Sequence, residues 1–287
     1  MALDRPYSAP ARKRGRVESH IVHEIMIRKL ETRARLEEAD KDMIRALPFV
    51  QREVEAGTYL VREATTPQRC AFVLSGYAFR QKLTSDGARQ IMAVMLPGDF
   101  VDFQNLFLAE SDHNVQALTR TRVAELATSD LRQVFLASAA ISKAINTDAL
   151  IESAIFREWI LNIGRRDGRS RIGHLLCEFA LRLRAAGIAA SPVYEFPMTQ
   201  EQLGDAVGLT SVHVSRILKG LSLEGLVERR GRFVRILNWE GLRDASRAWL
   251  DGHGIAYRFH DYKKSGISGD KLEHWVSRAG GWEHVIN

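Results

Sequence analysis

The chain has 287 residues, 45% hydrophobic and 26% charged, which is an ordinary globular composition long enough for about two domains. Cys70 and Cys177 stand far apart in apolar surroundings, so they provide neither a disulfide framework nor metal-ligand spacing, and a reducing cytoplasm is the expected compartment. A net charge of +6 permits a polyanionic partner, whereas the lack of an apolar leader or of a run approaching about 18 apolar residues argues against export and a membrane partner.

Residues 1–18 mix Pro and Ala with a basic RKRGR run and offer little to bury, so a disordered basic tail is expected. From Ser19 to Leu47 apolar residues recur at helical spacing (Ile21, Ile25, Leu30, Leu36, Met43, Leu47) until Pro48 ends the pattern. Residues 52–127 then read as short strands: REVEAGTYLV, CAFVLSG, YAFRQKL, RQIMAVML and VQALTRTRVAEL. Gly57, Ser75-Gly76, Ser85-Asp86-Gly87 and Pro97-Gly98 mark the turns, a spacing that suits a small sandwich or barrel.

Thr128-Ser129-Asp130 offers N-cap chemistry for a helical stretch reaching about Leu183, with breaks near Gly164 and Gly168. Within it Ile145, Ala149, Phe156, Trp159 and Ile163 form one apolar stripe, and Ile141, Ile151 and Ile155 form a second. Ile145, Ala149, Phe156 and Trp159 are the candidate seam of a two-stranded helical homodimer; burial of the same helix within one subunit is the alternative. Seven arginines (157, 165, 166, 169, 171, 182, 184) against Glu158, Asp167 and Glu178 make a basic run, read either as phosphate-contacting or as a solvated helix face.

Residues 198–237 carry the sharpest pattern. Thr199 and Gln202 have capping-box spacing before Leu203, Ala206 and Val207, and Gly208 stands at the helix end. Thr210 can cap a second helix that points Val214, Ile217, Leu218 and Leu221 inward. This is helix-turn-helix layout for double-stranded DNA. Ser211, Val212, Ser215 and Arg216 are the base-reading candidates, Arg216 foremost because its guanidinium matches guanine O6 and N7. Thr199, Thr210, His213 and Lys219 are candidate phosphate contacts, joined by Arg230 and Arg232 beside Gly231 at the tip of the hairpin VERRGRFVRI.

Residues 30–240 resemble the cAMP receptor protein/fumarate-nitrate reduction regulator (Crp/Fnr) family. The landmarks are VEAGTYLVREA, FVLSGYAFRQKLTSDGARQIMAVMLPGDF and MTQEQLGDAVGLTSVHVSRILKGLSLEGLV. The resemblance implies an α+β fold: an N-terminal cyclic-nucleotide-binding-type β-roll, a long dimerisation helix and a C-terminal winged helix-turn-helix, with a small α/β tail. It further implies a homodimeric regulator on a two-fold symmetric operator, with RNA polymerase as a further partner.

The sequence departs from the family at three points. After PGDF the family's phosphate-holding Gly-Glu pair is replaced by Asp102 and Phe103, and its arginine by His113 or Asn114. No response to cyclic AMP is therefore expected, because a phosphate would meet a carboxylate and no cation. Two cysteines cannot hold the four-cysteine cluster of the oxygen-sensing branch, and His113, as a haem ligand, is outweighed by a surface loop histidine. Neither a cofactor nor a metal is expected, and the effector is left unknown. Val212 stands where the family commonly has a glutamate, so the half-site letters do not carry over.

Residues 241–287 read as helix (242–252), strand (255–262) and helix (269–279), similar to a fragment of the arsenate reductase-related thioredoxin-fold family. Trp239 occupies the place of that family's catalytic cysteine, so no catalytic residue is expected and the chain is not read as an enzyme. The domains are read as 1–18 tail, 19–137 helical lead-in and β-roll, 138–164 dimerisation helix, 165–240 DNA-binding domain and 241–287 tail. The rival readings are a thiol or arsenate reductase-like protein and a signal-binding module acting through protein partners.

Overall fold

The structure, a computed structural model, describes residues 11–188 and 193–252. The chain to Ser246 is one compact unit and a second begins at Arg247, of which only the final turns of one helix are described. The expected strand 255–262 and helix 269–279 lie outside the described residues.

Helix α1 (Ala11–Glu31) starts inside the segment expected to be a disordered tail, which corrects that expectation beyond residue 10. Ala, Arg and Lys favour helix, and Val22, Met26, Ile27 and Leu30 anchor it at three-to-four-residue spacing in the core. Helix α2 (Glu38–Arg45) completes the lead-in.

Eight strands follow: β1 (Phe49–Val54), β2 (Tyr59–Val61), β3 (Arg69–Ser75), β4 (Ala78–Leu83), β5 (Arg89–Met95), β6 (Phe100–Val101), β7 (Asn114–Ala117) and β8 (Thr121–Ala127). They form two antiparallel sheets, in the orders β1-β8-β3-β6 and β2-β7-β4-β5. Val73, Ala78, Met95, Val101, Val115 and Val123 from both sheets meet in one core, as period-two alternation dictates for a roll. The expected turns fall where glycine is needed: a Cβ on Gly76, at φ 81°, would stand 2.5 Å from the Arg120 carbonyl oxygen.

Helix α3 (Thr128–Ala137) lacks the expected cap: Thr128 lies inside the helix and its hydroxyl donates to the Gln68 carbonyl at 3.2 Å. The chain breaks once more than the sequence suggests, at Ser138. Its hydroxyl accepts from the Ile141 amide at 3.0 Å and donates to Asp40 at 2.6 Å, starting α4 (Ala139–Arg165). Asp167 caps α5 (Gly168–Ala185) in the same way.

The dimer stripe requires correction. Ile145 is buried in the core shared by α1, α3 and the β-roll, and Trp159 is buried against α5, where its indole donates to Glu178 at 2.8 Å. Phe156 is half-buried beneath the Arg80 guanidinium, and only Ala149 of the four is exposed. The β-roll covers one stretch of α4 and α5 another, so an apolar stripe marks burial without naming the neighbour. Leu150 and Ile160, 69% and 72% exposed, lie on the uncovered side instead.

The basic run is corrected too. Arg166 is buried on Glu158 and Asn162, Arg182 joins Asp99 to Glu178, Arg169 pairs with Glu224, and Arg171 donates to backbone carbonyls. All four are engaged within the fold, and Arg169, Arg171 and Arg182 join separate elements. Asp99, between Lys29 and Arg182, keeps its carboxyl far below the usual carboxylate range: their charges and hydrogen bonds overcome a burial penalty that would raise it.

Candidate nucleic-acid interface

The remaining elements build a compact reader: β9 (Val193–Glu195), α6 (Gln200–Val207), α7 (Ser211–Leu223), β10 (Val227–Arg230), β11 (Phe233–Ile236) and α8 (Trp239–Gly252). Thr199 accepts from the Gln202 amide at 3.1 Å while Gln202 Oε1 accepts from the Thr199 amide at 2.9 Å, so the capping box is complete. Gly208 ends α6 at φ 67°, and the Thr210 hydroxyl caps α7 by accepting from the His213 amide at 3.3 Å. Leu203, Ala206, Val207, Val214, Leu218 and Leu221 are buried together, and Ile217 packs on them half-buried.

That burial fixes the outer face of α7. Ser211, Val212, His213, Ser215, Arg216 and Lys219 are exposed, and α7 contains no carboxylate. Arg216 and Lys219 make no ion pair among the described residues, and both face solvent. Gln200, at the start of α6, joins Ser211, Val212, Ser215, Arg216 and Lys219 around one shallow depression. The sequence reading missed Gln200, although its position directly after the Thr199 cap marks it as an exposed first-turn residue.

The hairpin is present, and Gly231 turns it at φ 59°. Arg230 and Arg232 are exposed but each has a carboxylate partner: Glu228 at 2.6 Å and Glu195 at 2.9 Å. Arg235 is a further exposed cation on β11, unpaired among the described residues, that the sequence reading passed over. Strand β9, also unforeseen, pairs with β11 and widens the wing to three strands.

The interior of the β-roll corrects the reading of its charge. A cation is present there: Arg80 of β4, 5% exposed, donates through Nε to His113 Nε2 at 3.0 Å and through Nη1 to Glu152 of α4 at 2.7 Å. His113 is not a surface loop histidine but 2% exposed. Arg80 reaches its Nε2 and Asp112 lies 2.7 Å from its Nδ1, so protein groups engage both nitrogens. Hydrogen bonds from His113 and Gln104 hold the Asp112 carboxyl down to about 2. Burial pushes Asp102 up, against the charge of Arg80 and hydrogen bonds from Ser111 and Asn105. The pattern after PGDF had hidden Arg80 because it arrives from another strand.

Asn238 accepts from the Gly241 amide at 2.9 Å and thus starts α8, while Trp239 packs half-buried on the reader core. A β-roll joined through a long helix to a winged helix-turn-helix defines a class of DNA-binding transcription regulators. A Crp-like helix-turn-helix domain profile matches residues 170–245 and a cyclic nucleotide-binding domain profile matches residues 51–138. The "Probable transcriptional regulator flp" of Lacticaseibacillus casei is 31% identical over 195 residues, 68% of this chain and 86% of that protein. "Transcriptional activator protein FnrL" of Cereibacter sphaeroides is 26% identical over 200 residues, 66% and 80% of the two chains. The solved FixK2 from Bradyrhizobium japonicum superposes with a TM-score of 0.64 at 25% identity, covering 69% of this chain and 98% of that one.

The chain belongs to the Crp/Fnr family of transcription regulators, which are not enzymes. The reductase-like alternative finds no counterpart among these relatives. No single helix among the described residues is long and apolar enough to cross a membrane.

Proposed function

We propose that the chain binds a two-fold symmetric operator as a homodimer and does so without cyclic AMP. The observation that carries the reading is the outer face of α7, where Arg216 and Lys219 stand unpaired beside Ser211, Val212 and Ser215. Arg216 meets a guanine edge, Val212 packs on a thymine methyl, and Ser211 and Ser215 bond base edges. Thr199, Thr210, His213 and Lys219 meet phosphates with the wing cations Arg230 and Arg232, whose glutamate partners reduce their share.

Two recognition helices reach successive major grooves, about 34 Å apart, when α4 pairs with its counterpart in a second copy. Leu150, Arg157, Ile160 and Gly164 share the exposed side of α4 at seam spacing, and the two apolar side chains gain most from a partner. In the β-roll, Glu152 already neutralises Arg80 and Asp102 adds a carboxylate, an environment hostile to a cyclic nucleotide phosphate. The domains follow this division: 19–137 sensor-type roll, 138–164 dimerisation helix, 165–240 reader. The regulator acts in the cytoplasm, at promoters served by RNA polymerase.

Footprinting on a selected operator tests the reading. Two protected half-sites related by a dyad are expected, with binding unchanged by cyclic AMP and weakened when about five base pairs, half a helical turn, are inserted between them. A single protected half-site indifferent to the insertion, or tighter binding with cyclic AMP, would refute it.

A further inference from the structure

The β4–β5 hairpin leaves the roll and touches the reader directly. Near its tip Arg89 sets two nitrogens on one carboxylate oxygen of Asp205 in α6, Nε at 2.7 Å and Nη2 at 2.6 Å. The next residue, Gln90, donates its amide to the Ala206 carbonyl at 3.3 Å. Arg171 of α5 donates to the Val207 carbonyl at 3.0 Å. The last carbonyls of a helix have no partner within it, so side chains from outside α6 complete its final turn here.

Apolar packing follows the same path. Phe79, Ile91 and Val94 of the hairpin share a core with Leu203, Ala206 and Val207 of α6. The other end of the hairpin is tied to α4 by Arg80 and Glu152. One two-stranded element thus holds both the long helix and the first helix of the reader.

We infer that the hairpin is a strut presenting the reader to DNA, with Arg89 as the positioning residue acting through Asp205. Helix α7 is packed on α6, so the attitude of α6 sets the attitude of the recognition face. In a dimer both faces must fit grooves at once, and a loosened α6 lowers affinity without removing any DNA contact. The inference rests on the DNA-binding reading above.

The test uses full-length protein on a selected operator, comparing wild type with Arg89→Asp, Asp205→Arg and the double exchange, together with Gln90→Ala. Arg89→Asp should weaken operator binding about three- to tenfold, as an ion pair about three-quarters buried and lost twice per dimer allows, with the salt slope of binding unchanged. The double exchange should restore affinity to within about twofold of wild type, because it rebuilds the pair with opposite polarity. Gln90→Ala should weaken binding in the same direction and guards against a misfolded charge variant. Single variants that bind as well as or better than wild type, or a double exchange as weak as Arg89→Asp, overturn the strut. Failure of wild type to select any duplex would instead sink the DNA-binding reading itself.

Discussion

Among the glycines of the reader, Gly204 in α6 lies nearest to a neighbouring stretch of backbone, the turn that follows it. A Cβ built on Gly204 lies 2.3 Å from the Leu209 carbonyl oxygen and 3.7 Å from the Ser211 amide nitrogen. Gly204→Ala therefore forces apart the two helices of the helix-turn-helix by up to about an ångström, since the obstacle is backbone and cannot rotate away. The alanine gains about 1 kcal/mol of helix propensity, whereas overpacking of this kind costs about 1–3 kcal/mol and sometimes more. Because the obstacle is a backbone oxygen at 2.3 Å, the cost falls in the upper part of that range, about 2–3 kcal/mol, and the net loss should be about 1–2 kcal/mol, with weaker operator binding as α7 tilts.

Gly220 in α7 provides the internal contrast, because nothing lies within 4 Å of its would-be Cβ. Gly220→Ala should stabilise by about 0.5–1 kcal/mol. Urea denaturation followed by circular dichroism reads both, with the midpoint shifting in opposite directions at a common slope. If Gly204→Ala is as stable as wild type, or if both substitutions shift the midpoint the same way, the packing argument for the turn is wrong.

Three further outcomes are specific. Burial, then the Arg166 charge, hold the His174 imidazole down to about 3 against 6.5 when unfolded, so it is neutral in the fold and the unfolded chain binds the extra proton. Stability should fall by up to about 2 kcal/mol between pH 7 and pH 5 and the loss should shrink in His174→Gln; a slope unchanged by the substitution refutes the assignment. The neighbouring Glu178, pushed up by burial, works oppositely: its contribution is present below its unfolded value and lost as pH rises through the folded one. Arg216→Ala should cost about 1–3 kcal/mol and relax preference at one position per half-site, whereas Arg235→Ala or Lys219→Ala should weaken all duplexes evenly and reduce the salt slope, as competition titrations will show. Glu152→Gln leaves Arg80 without its α4 counter-ion; calorimetry should still show no cyclic AMP binding while Asp102 remains, and uptake of the nucleotide by this variant would contradict the role given to Asp102.

Local chemistry was legible in the sequence wherever a short segment settles its own structure. Thr199, Gln202, Gly208 and Thr210 specify helix ends by hydrogen bonds and φ preference within a few residues, and the turn glycines of the roll do the same. What failed depended on contacts between distant segments. Ile145 and Trp159 look the same as seam residues until the β-roll and α5 are seen covering them. The arginines of 157–184 read as a basic face because their partners, Asp99 and Glu224 among them, lie far away in the chain.

Arg80, His113 and Asp102 come together from β4, β7's approach and the segment after β6, a convergence that no spacing rule encodes. Gly204 was passed over because its need for a missing Cβ arises from Leu209, five residues on and across a turn. Strand β9 is three residues long, too short to show alternation, and exists by pairing with β11. The recognition face itself was legible because burial of α7 follows directly from its own helical period.

The most direct test of the central claim is selection from a pool of random duplexes by the full-length protein, with no small molecule added and the salt concentration fixed. The account predicts enrichment of a two-fold symmetric motif whose preference at one position per half-site disappears with Arg216→Ala. Enrichment of no sequence, or a motif read identically by Arg216→Ala, would contradict it.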